Sequence, residues 1–237
     1  MRIERAAAPV GRAKSRSPGV RGGIRRSMRE LIPGLRHWTT FHDGIRARVG
    51  SHYVEPAGAL IDPRVPDEGL DAFAGLERPQ QVILTSGLHA RHAERFAEAF
   101  GCVVRASAQA LERLGGELEA EPYGDGDEVA PGITAIHVGA ICPDEYALHV
   151  WLGDGAIAFA DGLTRYGGAL GFVPDTLMGD EPAGVKDGLK DALHGLLTRD
   201  FDHLLFAHGD PLIGGGKTAL RDFLQRPVGQ EDYGQVV

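Results

Sequence analysis

The sequence predicts an α/β protein of the α+β type, in which a mixed pair of sheets is flanked by helices. Short apolar runs alternate along the chain with segments that carry an amphipathic helical stripe. Two tight-turn signals, Pro56-Ala57-Gly58 and Gly153-Asp154-Gly155, join neighbouring strands and interrupt a strict βαβ rhythm. A mixed sheet pair within one large domain is therefore favoured over a purely parallel fold.

The predicted elements follow this apolar pattern from one end of the chain to the other. Strands are predicted over residues 51–54, 59–61, 82–84, 103–106, 133–138, 146–152, 156–160 and 203–207. Helices are predicted over residues 70–76, 93–100, 108–114, 185–197 and 217–224. Between them, residues 31–50 suggest an early strand and then a loop, 117–131 a loop or hairpin, and 163–182 a long surface segment near a site.

Composition indicates a soluble globular protein. The chain has 237 residues, of which 43% are hydrophobic and 24% charged. No apolar run approaches the roughly 20 residues that a membrane helix needs. The two cysteines, Cys102 and Cys142, have no partner at CxxC spacing and make no disulfide framework. We therefore expect a reducing, cytoplasmic setting.

Charge divides the chain into a basic arm, residues 1–30, and an acidic body, residues 31–237. The arm holds nine Lys/Arg and two acids, a charge of +7, so the net charge of −8 leaves −15 on the remaining 207 residues. Such an arm can contact nucleic acid or a membrane, but its lack of a periodic apolar face favours a disordered tail. The acidic body argues against a nucleic-acid-binding domain.

Side chains that can bind a metal follow three of the predicted strands. Strand 82–84 leads through a Ser-Gly break to His89 and His92, strand 156–160 leads to Asp161, and strand 203–207 leads to His208. Ligands of α/β proteins usually bind beyond the carboxyl ends of the strands, and imidazole with carboxylate suits zinc or a similar ion. The alternatives are surface histidines at 89 and 92, a turn-capping Asp161 and a structural His208.

The order and spacing of these residues resemble the metallo-β-lactamase superfamily over roughly residues 45–225. That family has an αββα four-layer sandwich and a first motif HxHxDH, then a middle histidine, a bridging aspartate and a final histidine. Asp161 matches the bridging aspartate and His208, followed by Gly209, the final histidine. His89 matches the second histidine of the first motif, and His92 matches its last one.

Three family ligand positions carry other residues. Gly87 stands where the first histidine belongs, Arg91 where the aspartate belongs, and Ile141 where the middle histidine belongs. The resemblance therefore implies one metal ion rather than the usual pair, held by His92, Asp161 and His208. His89 would be a fourth ligand or a hydrogen-bond donor behind the ligands, and His137 is a conceivable substitute for the middle histidine.

The resemblance implies a metal-dependent hydrolase of small molecules that uses a metal-bound water. One divalent ion is expected, with zinc first and iron or manganese as alternatives. Asp161 and Asp210 are candidate general bases by position, and Arg91 either binds an anionic substrate group or turns to solvent. The alternative is a catalytically inactive protein of the same fold that binds a ligand or partner without metal. A third alternative, a redox relative, would need an iron pair that these ligands do not hold.

Overall fold

The structure is a computed structural model that describes residues 27–227. Most of the predicted basic arm, residues 1–30, and the last ten residues of the predicted domain lie outside these described residues. Within the described part, Arg29 and Glu30 already belong to the first strand, and the side chain of Met28 is buried in the core.

The first sheet has seven strands in chain order. They are β1 (Arg29–Ile32), β2 (Leu35–His42), β3 (Ala47–Val54), β4 (Ala59–Ile61), β5 (Gln81–Ile83), β6 (Val103–Ser107) and β7 (Glu121–Tyr123). Strands β1 to β4 are joined antiparallel, whereas β4 to β7 run parallel. The parallel part is connected by helices α1 (Ala93–Phe100) and α2 (Ala108–Leu114), as parallel pairing requires.

The second sheet has six strands in the order β15-β14-β11-β10-β9-β8. Their bounds are β8 (Glu128–Ala130), β9 (Ile133–His137), β10 (Tyr146–Val150), β11 (Ala156–Phe159), β14 (His203–Phe206) and β15 (Leu212–Ile213). Only β11 and β14 are parallel in this sheet. The hairpin of β12 (Thr164–Tyr166) and β13 (Ala169–Gly171) and helix α3 (Pro182–Leu196) connect them. Helix α4 (Gly216–Leu224) follows β15.

Three apolar cores define four layers. Phe96 of α1 and Ala110 of α2 pack against Trp38 and Tyr53 on the outer face of the first sheet. A second core lies between the sheets, and it includes Leu35, Ile61, Leu148 and Leu205. A third lies between the second sheet and the last two helices, with Phe159, Leu189, Leu193 and Phe223. The predicted αββα sandwich is confirmed.

The first two helices begin and end where the sequence predicts. The side chain of Ser107 accepts a hydrogen bond from the backbone N–H of Ala110 and so caps α2. Gly101 and Gly115 end α1 and α2 in the left-handed conformation, at φ +68° and +59°. Glycine adopts this conformation without the steric cost of a Cβ atom, so the two stops are visible in the sequence.

The structure corrects three segments. Residues 31–50 form most of a long β2–β3 hairpin rather than a strand and a loop, because β2 buries Leu35 and His37 on one face and Trp38 on the other. Residues 117–131 are not a hairpin, since β7 pairs with β6 and β8 with β9, so the chain crosses between the sheets there. The segment 163–182 contributes Leu170 and Phe172 to the core rather than lying on the surface.

The two sheets are in direct backbone contact at Gly50. Its backbone N–H donates a hydrogen bond of 2.8 Å to the carbonyl oxygen of Ala207, which joins β3 to the end of β14. A Cβ atom at residue 50 would lie 2.4 Å from the carbonyl oxygen of Phe206. Only glycine allows this contact, and the contact lies directly before His208.

No helix within residues 27–227 is both long and apolar enough to cross a membrane. Both cysteines are free thiols: Cys102 is buried, and Cys142 is half-buried.

Candidate metal centre

Three of the predicted ligands converge at one end of the sandwich. His89 closes a short 3-10 turn after β5, Asp161 lies two residues beyond β11, and His208 lies two residues beyond β14. Because β11 and β14 pair in parallel with Phe159 opposite Phe206, the last two side chains extend from the sheet at the same level. One ligand atom from each of the three residues lies within 4.8 Å of the others.

The distances within this cluster are short. Asp161 Oδ1 lies 3.0 Å from His208 Nε2 and 3.5 Å from His89 Nε2. The two imidazole rings are 5.8 Å apart between centroids, at an interplanar angle of 53°. Ligand atoms at zinc distances of about 2.0–2.1 Å in a tetrahedron would be about 3.3 Å apart, so this donor set fits a single ion.

His89 is oriented by a carboxylate behind it. Asp62 Oδ2 lies 2.9 Å from His89 Nδ1, and Asp62 in turn accepts hydrogen bonds from the backbone N–H and hydroxyl of Thr85, at 2.8 and 2.5 Å. This arrangement leaves Nε2 of His89 facing Asp161. A carboxylate that holds the far nitrogen of a ligating histidine is the usual support of a metal site.

The charges of the cluster are strongly coupled. Burial and the nearby Arg91 lower the pKa of His89, but Asp62 and Asp161 outweigh them and raise it to about 9. Burial alone would raise the pKa of Asp161, yet His89 and His208 hold it well below its usual range. The same cluster can therefore hold either a cation or a proton on His89 between two carboxylates.

Asp161 is held in its turn by Glu145. The backbone N–H groups of Asp161 and Gly162 both donate to Glu145 Oε1, at 3.1 and 2.5 Å. Burial, and then the charge of Asp161, raise the pKa of Glu145 to about 8. A Cβ atom at residue 162 would lie 2.9 Å from Glu145 Oε1, so glycine is needed for this support.

Arg91 turns inward rather than to solvent. Its Nη1 atom donates hydrogen bonds of 2.7 Å to the carbonyl oxygens of Gly50 and Asp62. The residue has φ +45°, an unusual conformation for a side chain other than glycine or asparagine. Arg91 is also among the residues that line the pocket above the cluster. Nη1 is engaged with the backbone, so it is not free to bind a substrate. The role of Arg91 in substrate binding therefore stays a prediction.

His92 is not brought to the cluster. Its Nδ1 atom accepts a hydrogen bond of 2.9 Å from the backbone N–H of Val65, and the residue precedes the first turn of α1. Burial and the positive charges of Arg64 and Arg95 lower its pKa to about 4. The left-handed backbone at Arg91 turns the side chain of His92 away from that of His89. The predicted ligand set therefore needs a correction: His89, not His92, joins Asp161 and His208.

The other predicted residues lie apart from the cluster. Asp210 is exposed and lines a neighbouring cavity. His137 is exposed, and its Nε2 atom lies 2.8 Å from the carbonyl oxygen of Pro143. The cluster of possible metal ligands formed by His89, Asp161 and His208 includes neither of them.

The position of the missing first histidine is closed. The backbone N–H of Gly87 donates a hydrogen bond of 2.7 Å to Asp144 Oδ2. Arg113 Nη2 forms an ion pair with Oδ1 of the same carboxylate at 3.1 Å. A Cβ atom at residue 87 would lie 2.9 Å from Arg113 Cδ and 3.1 Å from Asp144 Oδ2. Ile141, at the position of the middle histidine, lines the pocket as an apolar wall.

A pocket of about 480 Å³ covers the cluster. Asp161 is the only carboxylate among its lining residues, whereas Ile45, Leu88 and Leu177 are exposed apolar side chains that also line it. His42 contributes an imidazole whose buried Nδ1 has no partner within residues 27–227. Burial, and then Arg64 and Arg91, lower the pKa of His42.

Sequence reasoning missed Asp62, Glu145 and His42. Asp62 had a visible signal, because it follows the apolar strand Ala59–Ile61 and precedes a proline, as the other site residues follow strands. Glu145 and His42 had none, since their roles depend on contacts between strands that are distant in the sequence.

Comparison with solved structures identifies the class of this fold. The chain aligns with a metallo-β-lactamase from Erythrobacter litoralis at a TM-score of 0.58 and 16% identity, over 87% of this chain and 98% of that one. A metallo-β-lactamase family protein from Thermus thermophilus aligns at 0.55 and 17% identity, over 81% and 79%. A variant of a flavo di-iron protein from Thermotoga maritima aligns at 0.61 and 13% identity, over 84% of this chain and 62% of that one.

The chain therefore has the metallo-β-lactamase fold, and the predicted resemblance is confirmed at that level. No family model and no curated protein matches the sequence.

Proposed function

We propose that this protein is a hydrolase of small molecules whose site holds one divalent ion through His89, Asp161 and His208. The convergence of two imidazole nitrogens and one carboxylate oxygen within 4.8 Å carries the proposal. Two nitrogens and one oxygen would supply a bound ion with three protein ligands, the number that catalytic zinc sites have. Zinc is the first candidate, and iron and manganese are the alternatives. When bound, the ion supplies Lewis-acid polarisation of a carbonyl or phosphoryl oxygen and lowers the pKa of water.

The surrounding residues have distinct tasks. Asp62 fixes the ring of His89, and Glu145 fixes the turn that presents Asp161. His42 lines the pocket, and burial followed by Arg64 and Arg91 lowers its pKa, which favours the neutral imidazole, the form that accepts a proton. Asp161 is the carboxylate nearest the reaction, whereas Asp210 lies in the neighbouring cavity and is a poorer candidate for the general base.

One ion rather than two is supported by the altered positions. Gly87 and Ile141 offer no ligand atom, and Arg91 stands at the sequence position where the family has an aspartate, with its guanidinium bound to the backbone of Gly50 and Asp62. A fixed positive charge there repels a second dication. The pocket walls of Ile45, Leu88 and Leu177 favour a substrate with an apolar part beside its hydrolysed bond.

Elemental analysis combined with a hydrolase panel tests the proposal. Protein purified without a tag is analysed for zinc, iron and manganese, then assayed on chromogenic esters, lactones, thioesters and phosphodiesters before and after chelation. About one equivalent of metal, with activity lost on chelation and restored by the same metal, is the expected result. A folded protein without metal after supplementation, or hydrolysis that chelation leaves unchanged, contradicts it.

A catalytically inactive binding protein is the second candidate. The observation that favours it is the position of His89, which can hold a proton between Asp62 and Asp161 and so satisfy the cluster without metal. In that case added zinc does not raise the melting temperature at pH 7, and no metal is retained after gel filtration. Retention of one equivalent rules this candidate out.

A further inference from the structure

A second cavity, also of about 480 Å³, adjoins the pocket over the metal centre. Three arginines line it, Arg46 and Arg48 from the β2–β3 hairpin and Arg165 from β12. Ala47 and Tyr166 line both cavities, so the two are neighbours that share a wall there. We name the second one the arginine cavity.

The three guanidinium groups lack carboxylate partners within the described part of the chain. Arg48 donates to the hydroxyl and carbonyl oxygens of Thr39, at 3.0 and 2.7 Å. Arg165 donates to the carbonyl oxygens of Asp210 and Pro211, both at 3.2 Å. The Arg46 side chain is exposed in the turn between the two strands.

The charge of the arginine cavity is opposite to that of the protein. Asp210 is the only acid among the lining residues, so three arginines leave a formal excess of two positive charges. The whole chain has a net charge of −8. Uncompensated like charges repel one another, and an anion bound between them removes that repulsion.

The backbone fixes this cavity relative to the metal centre. The N–H of Arg165 donates a hydrogen bond of 3.0 Å to the carbonyl oxygen of His208. The N–H of Asp210 donates one of 3.2 Å to the carbonyl oxygen of Arg165. Gly209 lies between them at φ +106°, where a Cβ atom would lie 2.1 Å from the carbonyl oxygen of Arg165. Arg165 of the arginine cavity and His208 of the metal centre are thus joined directly by a backbone hydrogen bond.

We propose that the arginine cavity is a subsite for a phosphoryl group of the substrate. A phosphate monoester carries a charge near −2 at pH 7, which matches the excess of two, whereas a carboxylate carries only −1. Planar guanidinium groups bind phosphate oxygens in bidentate fashion. Phe41 and Tyr166 supply aromatic walls for the organic part of such a molecule. Phosphate binding stands on the cavity alone, but its link to the substrate rests on the proposed hydrolase.

Binding of small anions to chelator-treated protein tests the subsite without the metal. Isothermal titration at low salt compares inorganic phosphate, phenyl phosphate and acetate. Phosphate and phenyl phosphate are expected to bind, with acetate at least about tenfold weaker. Arg46→Gln and Arg165→Gln are each expected to weaken phosphate about tenfold or more, since a charge-assisted hydrogen bond contributes on that scale. Arg46→Lys keeps the charge and should retain part of the affinity.

Arg221→Gln is the matched control, because Arg221 is an exposed arginine of α4 outside both cavities. Equal phosphate affinity in the two cavity variants and the control overturns the subsite, as does acetate that binds as tightly as phosphate. Metal retention with hydrolysis of a neutral ester but no phosphate binding removes the subsite and keeps the hydrolase. Phosphate binding that needs the arginines in a protein that never takes up metal keeps the subsite and removes the hydrolase.

Discussion

The Nη1 atom of Arg91 lies 2.7 Å from the carbonyl oxygen of Asp62, and at the same distance from that of Gly50. One guanidinium thus joins the start of α1 to β3 and to the residue that orients His89. Two charge-assisted hydrogen bonds of this kind contribute ~3–6 kcal/mol together. Arg91 therefore stabilises the backbone around the site, whether or not it also binds a substrate.

We predict that Arg91→Gln lowers the free energy of unfolding by ~3 kcal/mol or more, because both carbonyl oxygens lose a charged donor. Arg91→Lys should retain only part of the stability that Arg91→Gln loses, since a single ammonium cannot reproduce the planar donor group. Urea denaturation measures the change, with the exposed Arg95→Gln as control. Unchanged stability with a raised KM would instead assign Arg91 to substrate binding.

The ligand set predicts different outcomes for the three histidines. His89→Ala and His208→Ala should each lose most of the bound metal, because each removes one of three donors. His92→Ala should retain it, since His92 is engaged with the backbone of Val65. Elemental analysis after gel filtration decides this. Loss of metal in the His92 variant, with its fold intact, would return that residue to the ligand set.

Asp62→Asn should weaken metal binding about 10- to 100-fold while leaving the three ligands in place. The amide cannot supply the charge that holds His89, and the loss of such a partner has effects of this size. Competition with a chromogenic chelator measures the affinity. Asp67→Asn, an exposed change of the same chemistry, should have no effect. An affinity equal to that of the wild type would show that Asp62 has only a structural role.

Two buried histidines between the sheets predict sensitivity to mild acid. His37 and His52 lie on paired strands with ring centroids 4.9 Å apart. Burial, and then Arg29, lower the pKa of His37 to about 4, and burial followed by His37 lowers that of His52 well below its usual range. The unfolded chain binds these protons near pH 6.5, so stability is present above that pH and is lost as the pH falls towards 4.

The loss from His37 alone amounts to at most ~3 kcal/mol. Denaturant unfolding at pH 7.5, 6.0 and 4.5 should show the fall, and His37→Gln should make the curve flatter over this window. His194→Gln, on the exposed face of α3, should reproduce the pH dependence of the wild type. Equal slopes in the His37 variant and the wild type would contradict the assignment.

Gly50→Ala should be strongly destabilising, by ~2–3 kcal/mol, because its Cβ atom would lie 2.4 Å from a backbone oxygen of β14. The shift should also reduce metal affinity, since that oxygen belongs to Phe206, two residues before His208. Gly184→Ala is the opposite case: nothing lies near its Cβ position, and it sits within α3. There we expect a gain of ~0.5–1 kcal/mol. Thermal and chemical unfolding of both variants provide the comparison.

The sequence shows the strand ends and helix ends of this fold better than its pairings. Helix α1 and its stop at Gly101 follow from local chemistry, and so do the strand exits that lead to His89, Asp161 and His208. The sequence does not reveal the full length of strand β2, because both faces of this strand are buried. Burial on both faces removes the alternation of apolar and polar residues that marks a half-buried strand. The crossing between β7 and β8 depends on long-range pairing that turn signals do not encode.

The ligand set could be predicted only in part for the same reason. His89 and His92 are three residues apart, a spacing that places two side chains on one face of a regular helix. The left-handed Arg91 between them breaks that relation, and nothing local in the sequence requires it. The support from Asp62 spans 27 residues, so it is visible only once β4 and β5 are paired.

The closed surroundings of Gly87 leave little room for a histidine at this position. A histidine introduced there would have to displace the carboxylate of Asp144 and the side chain of Arg113, which are paired with each other. A metal ligand at residue 87 would thus need several substitutions made together. Single-site laboratory evolution from this chain is therefore expected to change the open pocket walls at Ile45, Leu88 and Leu177 before it can build a ligand at residue 87.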